Sequence, residues 1–368
     1  MLTSVLHTLH QRNDARFVQE DGWLVPAGFT DIESETRAAR EGVAIADRSH
    51  MGRLELRGND TLDLLNRLST NQLDLLAPGN AANTVLTTNK GRIIDRLLVA
   101  HLDTSILLTT SPQRSAHVSE WIDRYTIVED TTINDLSQTT AMISLLGAKA
   151  ASLITRVFGE AASSLGTSNC VTFSWGATTL TLMQADSFGV PSYDILVPVE
   201  EATALWLAIE ESGKDHGVQP IGEDALEYLR IVSGQARWGR DFDENYNPLE
   251  AGLTEAISWT KGCYIGQEVI ARLWTYHKVQ KFLVSFAFSE AEETTLPAEI
   301  QIGGSKAGVL TSYYFQPETQ TGIGLGYLRT PHADHGQLVE IPSVAGGPMI
   351  GKVTRVAPRP TAPVPSIP

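Results

Sequence analysis

An α+β fold that ends in a small antiparallel barrel is the fold class predicted by the sequence, on three observations. Apolar runs of strand length alternate with amphipathic helical stretches up to about residue 277. Beyond Lys278 the texture changes to short strand candidates at close spacing, punctuated by Gly and Pro, as in a small barrel. The chain has 368 residues, 42% of them hydrophobic and 19% charged. That length exceeds one small core, and that composition supplies enough apolar side chains to offset the ordering entropy.

In order along the chain, Met1 to Arg16 reads as a short amphipathic helix, with neither the apolar run nor the cleavage site of a signal peptide. Ser34 to Arg40 reads as a helix stopped by Gly42 in the left-handed region. Arg53 to Leu56 is a strand, and Asn59 or Asp60 caps a helix carrying Leu62, Leu65 and Leu68 on one face. Thr84 to Thr88 and Ile93 to Leu102 are strands joined by Asn89-Lys90-Gly91-Arg92, which has the turn chemistry of a hairpin. Ile106 to Thr110 is a strand and Ser115 to Tyr125 a helix.

The pattern then recurs. Ala141 to Leu146 is a strand and Lys149 to Phe158 a helix. Val171 to Trp175 and Thr178 to Ala185 form a hairpin around Gly176, and Tyr193 to Pro198 is a strand. Glu200 to Glu211 and Gly222 to Ser233 are helices, the second closed by Gly234. In the last part, strands are expected at Phe282 to Phe288, Ile300 to Ile302, Gly308 to Tyr314, Gly322 to Leu328, Gln337 to Ile341 and Lys352 to Val356. The domain boundaries expected from this are 1–277, 278–356 for the barrel, and a disordered Pro-rich tail at 357–368.

Acidic residues outnumber basic ones, 43 to 28, for a net charge of −15. Such a surface disfavours nonspecific binding to nucleic acid or anionic membrane, and direct nucleic-acid binding is not expected. No stretch approaches the ~20 apolar residues of a membrane span. The two cysteines, Cys170 and Cys263, are far apart and build neither a disulfide framework nor a CxxC metal pattern. A reducing, cytoplasmic location is the expectation. His332-Ala333-Asp334-His335 reads as a surface loop, and no metal site is expected.

Two segments carry a family resemblance. Asp47-Arg48-Ser49-His50-Met51-Gly52, followed by Gly58 and Asp60, is similar to the D-x-S-H-M-G-x-x-x-x-x-G-x-D stretch of the glycine-cleavage T protein. Leu229-Arg230, Gly234, Trp238-Gly239 and Asn247-Pro248-Leu249-Glu250-Ala251-Gly252-Leu253 resemble, in the same order, the T protein's L-R-x-x-x-G helix end and P-x-E-x-x-L stretch. Lys261-Gly262-Cys263-Tyr264-Ile265-Gly266-Gln267-Glu268 resembles the K-G-C-[FYW]-x-G-Q-E signature of the YgfZ family, which the T protein lacks. The resemblance implies two mixed α/β subdomains around a central cavity, followed by the barrel. It also implies a tetrahydrofolate-binding protein that supports assembly or repair of iron–sulfur proteins and related tRNA modification. Its partners would be folate and iron–sulfur enzymes or their assembly proteins. One departure is local: His277 stands near a usual Gly.

Chemistry can be weighed residue by residue. Aminomethyl transfer needs a carboxylate beside the folate nitrogens to place the amine and steady positive charge. T proteins resemble one another in a strand G-G-x-x-D-D-L-x-V, whose second Asp is the functional candidate. Here Asp95 keeps the first position and Arg96 holds the second, on the opposite face of a strand. Asp194 falls where T proteins carry a pterin-anchoring Glu, and it could accept hydrogen bonds from the pterin amine and ring N–H. Arg230 would lie nearby, with an Arg–Asp structural pair as the rival reading. Cys263 is the candidate thiol, with Lys261, Arg272 and Lys278 as cationic neighbours that would favour thiolate. The rival is a small buried residue in a tight turn, the usual fate of a free Cys and the reading preferred for Cys170. Tyr264, Gln267, Glu268 and Arg272 complete the candidate folate contacts, and an ion pair of Glu268 with Lys261 or Arg272 is a rival. Gly262 and Gly266 are expected at positive φ or close backbone approach.

Three functions follow: a folate-binding accessory protein of iron–sulfur metabolism, a true aminomethyltransferase, or a noncatalytic binding module on the same scaffold. The first expects the 261–268 loop and Asp194 to open onto one cavity.

Overall fold

A computed structural model describes residues 1–159, 165, 169–185 and 188–359. The expected tail at 357–368 therefore lies mostly outside the described residues. The chain divides into two compact units. One comprises Met1–Asn66, Gln72–Thr84 and Arg96–Leu229; the other comprises Arg67–Asn71, Val85–Asp95 and Arg230–Pro368.

The first unit is built on a six-stranded mixed sheet in the order Cys170–Trp175, Thr178–Gln184, Ser192–Pro198, Thr140–Leu146, Val43–Asp47 and Val218–Pro220. All pairs are antiparallel except the last, which is parallel. Helices Ala150–Phe158 and Ala202–Gly213 cover it, and Leu153, Ile154, Leu205, Trp206 and Ile209 pack against Val43, Ile45, Ile143 and Ile195. A three-stranded sheet places Trp23–Gly28 between Leu2–Thr3 and Arg16–Glu20. The expected N-terminal helix is correspondingly short, His7–Arg12. A five-stranded sheet runs Ala81–Thr87, Ile93–His101, Ile106–Thr110, Gly52–Arg57 and Thr132–Asp135. Its first two strands pass from one unit into the other along their length.

The second unit contains a closed six-stranded barrel of Lys281–Phe288, Thr321–Arg329, Ser305–Gln316, Ala298–Ile302, Leu338–Pro342 and Pro348–Val356. Every pair is antiparallel. Phe282, Val284, Phe286, Phe288, Ile300, Leu310 and Val353 fill it.

Most expected elements are present within a residue or two. Val43–Asp47 carries no period-2 signal because all five residues are buried, as in a strand covered on both faces. Gly42 ends its helix at φ −126°, ψ −128°, not in the left-handed region. Close packing accounts for small residues there: a Cβ on Gly147 would stand 2.5 Å from the Gly42 carbonyl oxygen.

Charge is segregated between the units. The first carries 13 Lys and Arg against 29 Asp and Glu, or −16; the second carries 15 against 14, or +1; together these make the 28, 43 and −15 of the chain. The acidity anticipated for the whole surface thus belongs to one unit, and the other presents no net repulsion to an anionic ligand.

Candidate functional site

In the first unit, Asp194 sits in the strand Ser192–Pro198, opposite Ser144 and Met183 in the two neighbouring strands. It is buried at 8% exposure, and the Ser144 hydroxyl donates to its Oδ1. The Asp47–Gly52 stretch follows the strand Val43–Asp47 and enters the strand Gly52–Arg57. Arg53 holds it, fully buried, donating to the carbonyls of Ser49, Met51, Ser137 and Thr140 and to the Thr140 hydroxyl. Burial pushes its guanidinium down to about 10, against the pull of Asp135 and Asp47. His50 lies 3.6 Å from Glu223, so it is held by a carboxylate within the fold.

Asp47 accepts from Ser4 Oγ, from the Ser49 amide at 3.0 Å and from His10 Nε2 at 3.1 Å. Burial alone would raise its carboxyl, but His10, Ser4 and Ser49 outweigh it and hold the group below the ordinary carboxylate value. The unfolded chain titrates near pH ~3.9. The stability this group contributes is therefore present above that pH and lost as pH falls through the lower folded value. Asp47→Asn is expected to flatten the acid limb: below about pH 4, wild-type stability should fall more steeply than the variant's in urea titrations.

In the second unit, the motif loop leads into a helix, Gln267–Thr275, that the sequence reading did not assign. Lys261 is buried, and its Nζ donates to the carbonyls of Ser69 at 2.8 Å and Asn71 at 2.6 Å. Tyr264 is buried at 8% exposure. Cys263 between them is exposed, whereas Cys170 is buried among Met142, Met183 and Leu196. Burial, with Asp103 adding to it, pushes the Cys170 thiol up to about 11. The buried-thiol reading thus fits Cys170 and not Cys263.

Gly266 has φ +88° and opens the helix. A Cβ there would stand 2.5 Å from the Thr88 carbonyl oxygen and 3.1 Å from the Gly91 Cα, so the glycine is required both for its conformation and for the approach of the 89–92 turn. Gly262 differs from expectation: it is not at positive φ, and a Cβ would meet nothing within 4 Å. Gln267 is half-buried, and Glu268 and Arg272 are exposed on this helix. Glu268 makes no ion pair with Lys261 or Arg272 among the described residues. His277 adopts φ +52°, the conformation a Gly would take, and closes the helix through the His277 amide to the Trp274 carbonyl and the Lys278 amide to the Leu273 carbonyl. A left-handed L-residue costs about 1–2 kcal/mol. His277→Gly is therefore expected to stabilise the protein by roughly 1 kcal/mol, read as a higher midpoint at unchanged slope in urea.

Arg230, at the end of the helix Glu223–Ser233, is 5% exposed. Its partner is Asp241 at 2.5 Å, and it also donates to Ser312 Oγ at 2.7 Å and to the Gln235 carbonyl. Asp95 is fully buried in the strand Ile93–His101, and Arg96 beside it is half-buried.

Sequence reasoning passed over one group in the second unit. Lys281 Nζ lies 3.6 Å from the centre of the Tyr246 ring, and Arg92 lies 3.8 Å from the buried Glu250. Burial raises the Glu250 carboxyl and lowers the Lys281 ammonium, each against the other's field. Glu250 stood in a motif stretch; its cationic neighbours come from distant segments and left no local signal.

A folded chain with mixed α/β sheets, a closed C-terminal barrel and these two motif stretches defines a class, and comparison with known proteins names it. The family model described as the GCVT N-terminal domain matches residues 6–261, and that of the glycine cleavage T-protein C-terminal barrel domain matches residues 281–360. The chain belongs to the glycine-cleavage T-protein family. It is 30% identical over 345 residues to an aminomethyltransferase of Symbiobacterium thermophilum, covering 91% of this chain and 92% of that protein. It is 28% identical over 342 residues to one of Halothermothrix orenii, covering 93% and 95%. The crystal structure of the glycine cleavage system aminomethyltransferase T from Bartonella henselae superposes with a TM-score of 0.84 at 19% identity, covering 100% of this chain and 99% of that one. The T-protein fold expected from the sequence is the fold of this chain.

Proposed function

We propose that this chain is a tetrahydrofolate-binding accessory protein of the YgfZ type, acting in the cytoplasm to support assembly or repair of iron–sulfur proteins and related tRNA modification. The observation that carries the reading is the contrast between the two thiols: Cys170 is packed away, while Cys263 is displayed at the surface inside the K-G-C-Y-I-G-Q-E stretch. The strand Ile93–His101 adds support. With Arg96 where a second Asp would stand, a cation replaces the carboxylate that would steady positive charge in aminomethyl transfer. Asp194 has the acceptor chemistry that a pterin amine and ring N–H require, on a strand that fixes its direction. No helix among the described residues is long and apolar enough to cross a membrane.

Calorimetry and a transfer assay test this together. Wild type is expected to bind tetrahydrofolate on the order of micromolar affinity. Asp194→Ala should weaken it at least about tenfold, a loss of ~1.4 kcal/mol. With a lipoyl carrier protein and tetrahydrofolate, no ammonia or methylene-folate should be released. In cells lacking the protein, wild type and not Cys263→Ala should restore iron–sulfur enzyme activity; full rescue by Cys263→Ala overturns the reading.

A second reading, an active aminomethyltransferase, is favoured by the names of the relatives, which align over nine-tenths of the chain. Release of ammonia in the transfer assay would establish it in place of the first.

A further inference from the structure

A lysine two residues from an exposed cysteine invites the idea that its charge activates the sulfur. The Lys261 ammonium is turned elsewhere. It is buried at 4% exposure, donates to the carbonyls of Ser69 and Asn71, and lies 5.1 Å from the centre of the Tyr264 ring. An ammonium has three donors, and its hydrogen bonds to carbonyls strengthen where water is excluded. A second clamp grips the other end of the loop. The Ile265 amide donates to the Arg67 carbonyl at 3.0 Å, and the Thr87 hydroxyl donates to the Ile265 carbonyl at 2.6 Å. Both ends of the loop thus rest on the single backbone stretch Arg67–Asn71. Between the clamps, Gly262 and Cys263 are exposed, and Gly262 has open space around it.

We infer that Lys261 is a positioning residue, a buried strut that fixes the loop and so aims the Cys263 thiol outward, and not the cation that promotes thiolate formation. The inference rests on the reading of Cys263 as the working thiol. A compact ammonium suits the role, since it reaches two carbonyls at one point where the planar fork of an arginine would need more room.

The test follows iodoacetamide alkylation of Cys263 by mass spectrometry over about pH 6 to 10. It is joined to hydrogen exchange on peptides spanning 262–266, in the full chain, for wild type, Lys261→Met and Thr87→Val. Both variants are expected to keep the wild-type midpoint of the alkylation profile. Both should exchange the loop amides at least about tenfold faster, because a clamp has been removed, and both should restore iron–sulfur enzyme activity poorly. A midpoint raised by about one pH unit in Lys261→Met alone would show the charge acting on the sulfur and overturn the proposal. Unchanged loop exchange in both variants would overturn it as well. Thr87→Val removes the side-chain bond of the other clamp without altering charge and leaves the Ile265 amide on the Arg67 carbonyl, so the positioning role is still tested by loop exchange where Lys261→Met fails to fold. Failure of the functional reading shows separately, as full rescue by Cys263→Ala with the loop results unaltered.

Discussion

Asp241→Ala is expected to destabilise the second unit by about 3–5 kcal/mol, the cost of leaving a buried charge without its partner. Asp241 is fully buried and accepts four hydrogen bonds: from Arg230 at 2.5 Å, the Arg237 amide at 3.0 Å, the Thr311 hydroxyl at 2.5 Å and the Ser312 hydroxyl at 2.8 Å. One carboxylate therefore ties the end of the helix Glu223–Ser233, the turn after it and the barrel strand Ser305–Gln316. Removal takes the carboxylate at 2.5 Å from the Arg230 guanidinium, which is 5% exposed and keeps the Ser312 hydroxyl and the Gln235 carbonyl among its partners. Urea unfolding should show a lower midpoint for Asp241→Ala, whereas the double replacement Arg230→Met with Asp241→Leu should recover much of the loss, since an apolar pair needs no compensation. Equal damage from the double replacement would place the cost in packing and not in the stranded charge.

Arg53→Met carries the second large effect, about 4 kcal/mol, because it takes a donor from the buried Ser49 carbonyl and from the part-buried carbonyls of Met51, Ser137 and Thr140, at roughly 1–3 kcal/mol for each group left unsatisfied. Among the described residues no carboxylate bonds this guanidinium; its partners are backbone carbonyls and one hydroxyl from 49–51 and 137–140. The loss should appear as faster hydrogen exchange in both segments before global unfolding, and as a lower urea midpoint. A variant with wild-type stability and protection would remove Arg53 from this role. Because the 49–51 segment belongs to the Asp47–Gly52 stretch, Arg53 satisfies part of that stretch's backbone.

Local chemistry was legible from the sequence wherever it was periodic or punctuated. The barrel strands, the turn at Gly91 and the hairpin at Gly176 follow from alternation and glycine placement, and both glycines have positive φ. Val43–Asp47 was hidden because a strand covered on both faces loses its alternation. The helix Gln267–Thr275 starts on the last two residues of a motif that was weighed for chemistry and not for spacing. Site roles were harder still. The partner of Arg230 is eleven residues away and the acceptors of Lys261 about 190 residues away, distances that no local pattern encodes. His277 marks the opposite case: it stands near a Gly expected from the resemblance, and it holds φ +52°, a left-handed conformation that favours Gly.

The second unit is assembled from Arg67–Asn71, Val85–Asp95 and everything from Arg230 onward, which sets a timetable for a chain emerging from the ribosome. Residues 67–71 and 85–95 leave the exit tunnel long before Lys261, Ile265 and Gly266 exist to meet them. At about 5–20 residues per second the wait is on the order of 10–40 seconds. During it the 89–92 turn and the start of Ile93–His101 lack the contacts that Gly266 and the Tyr246 carbonyl later supply, and unpaired strand backbone is what other chains can pair with.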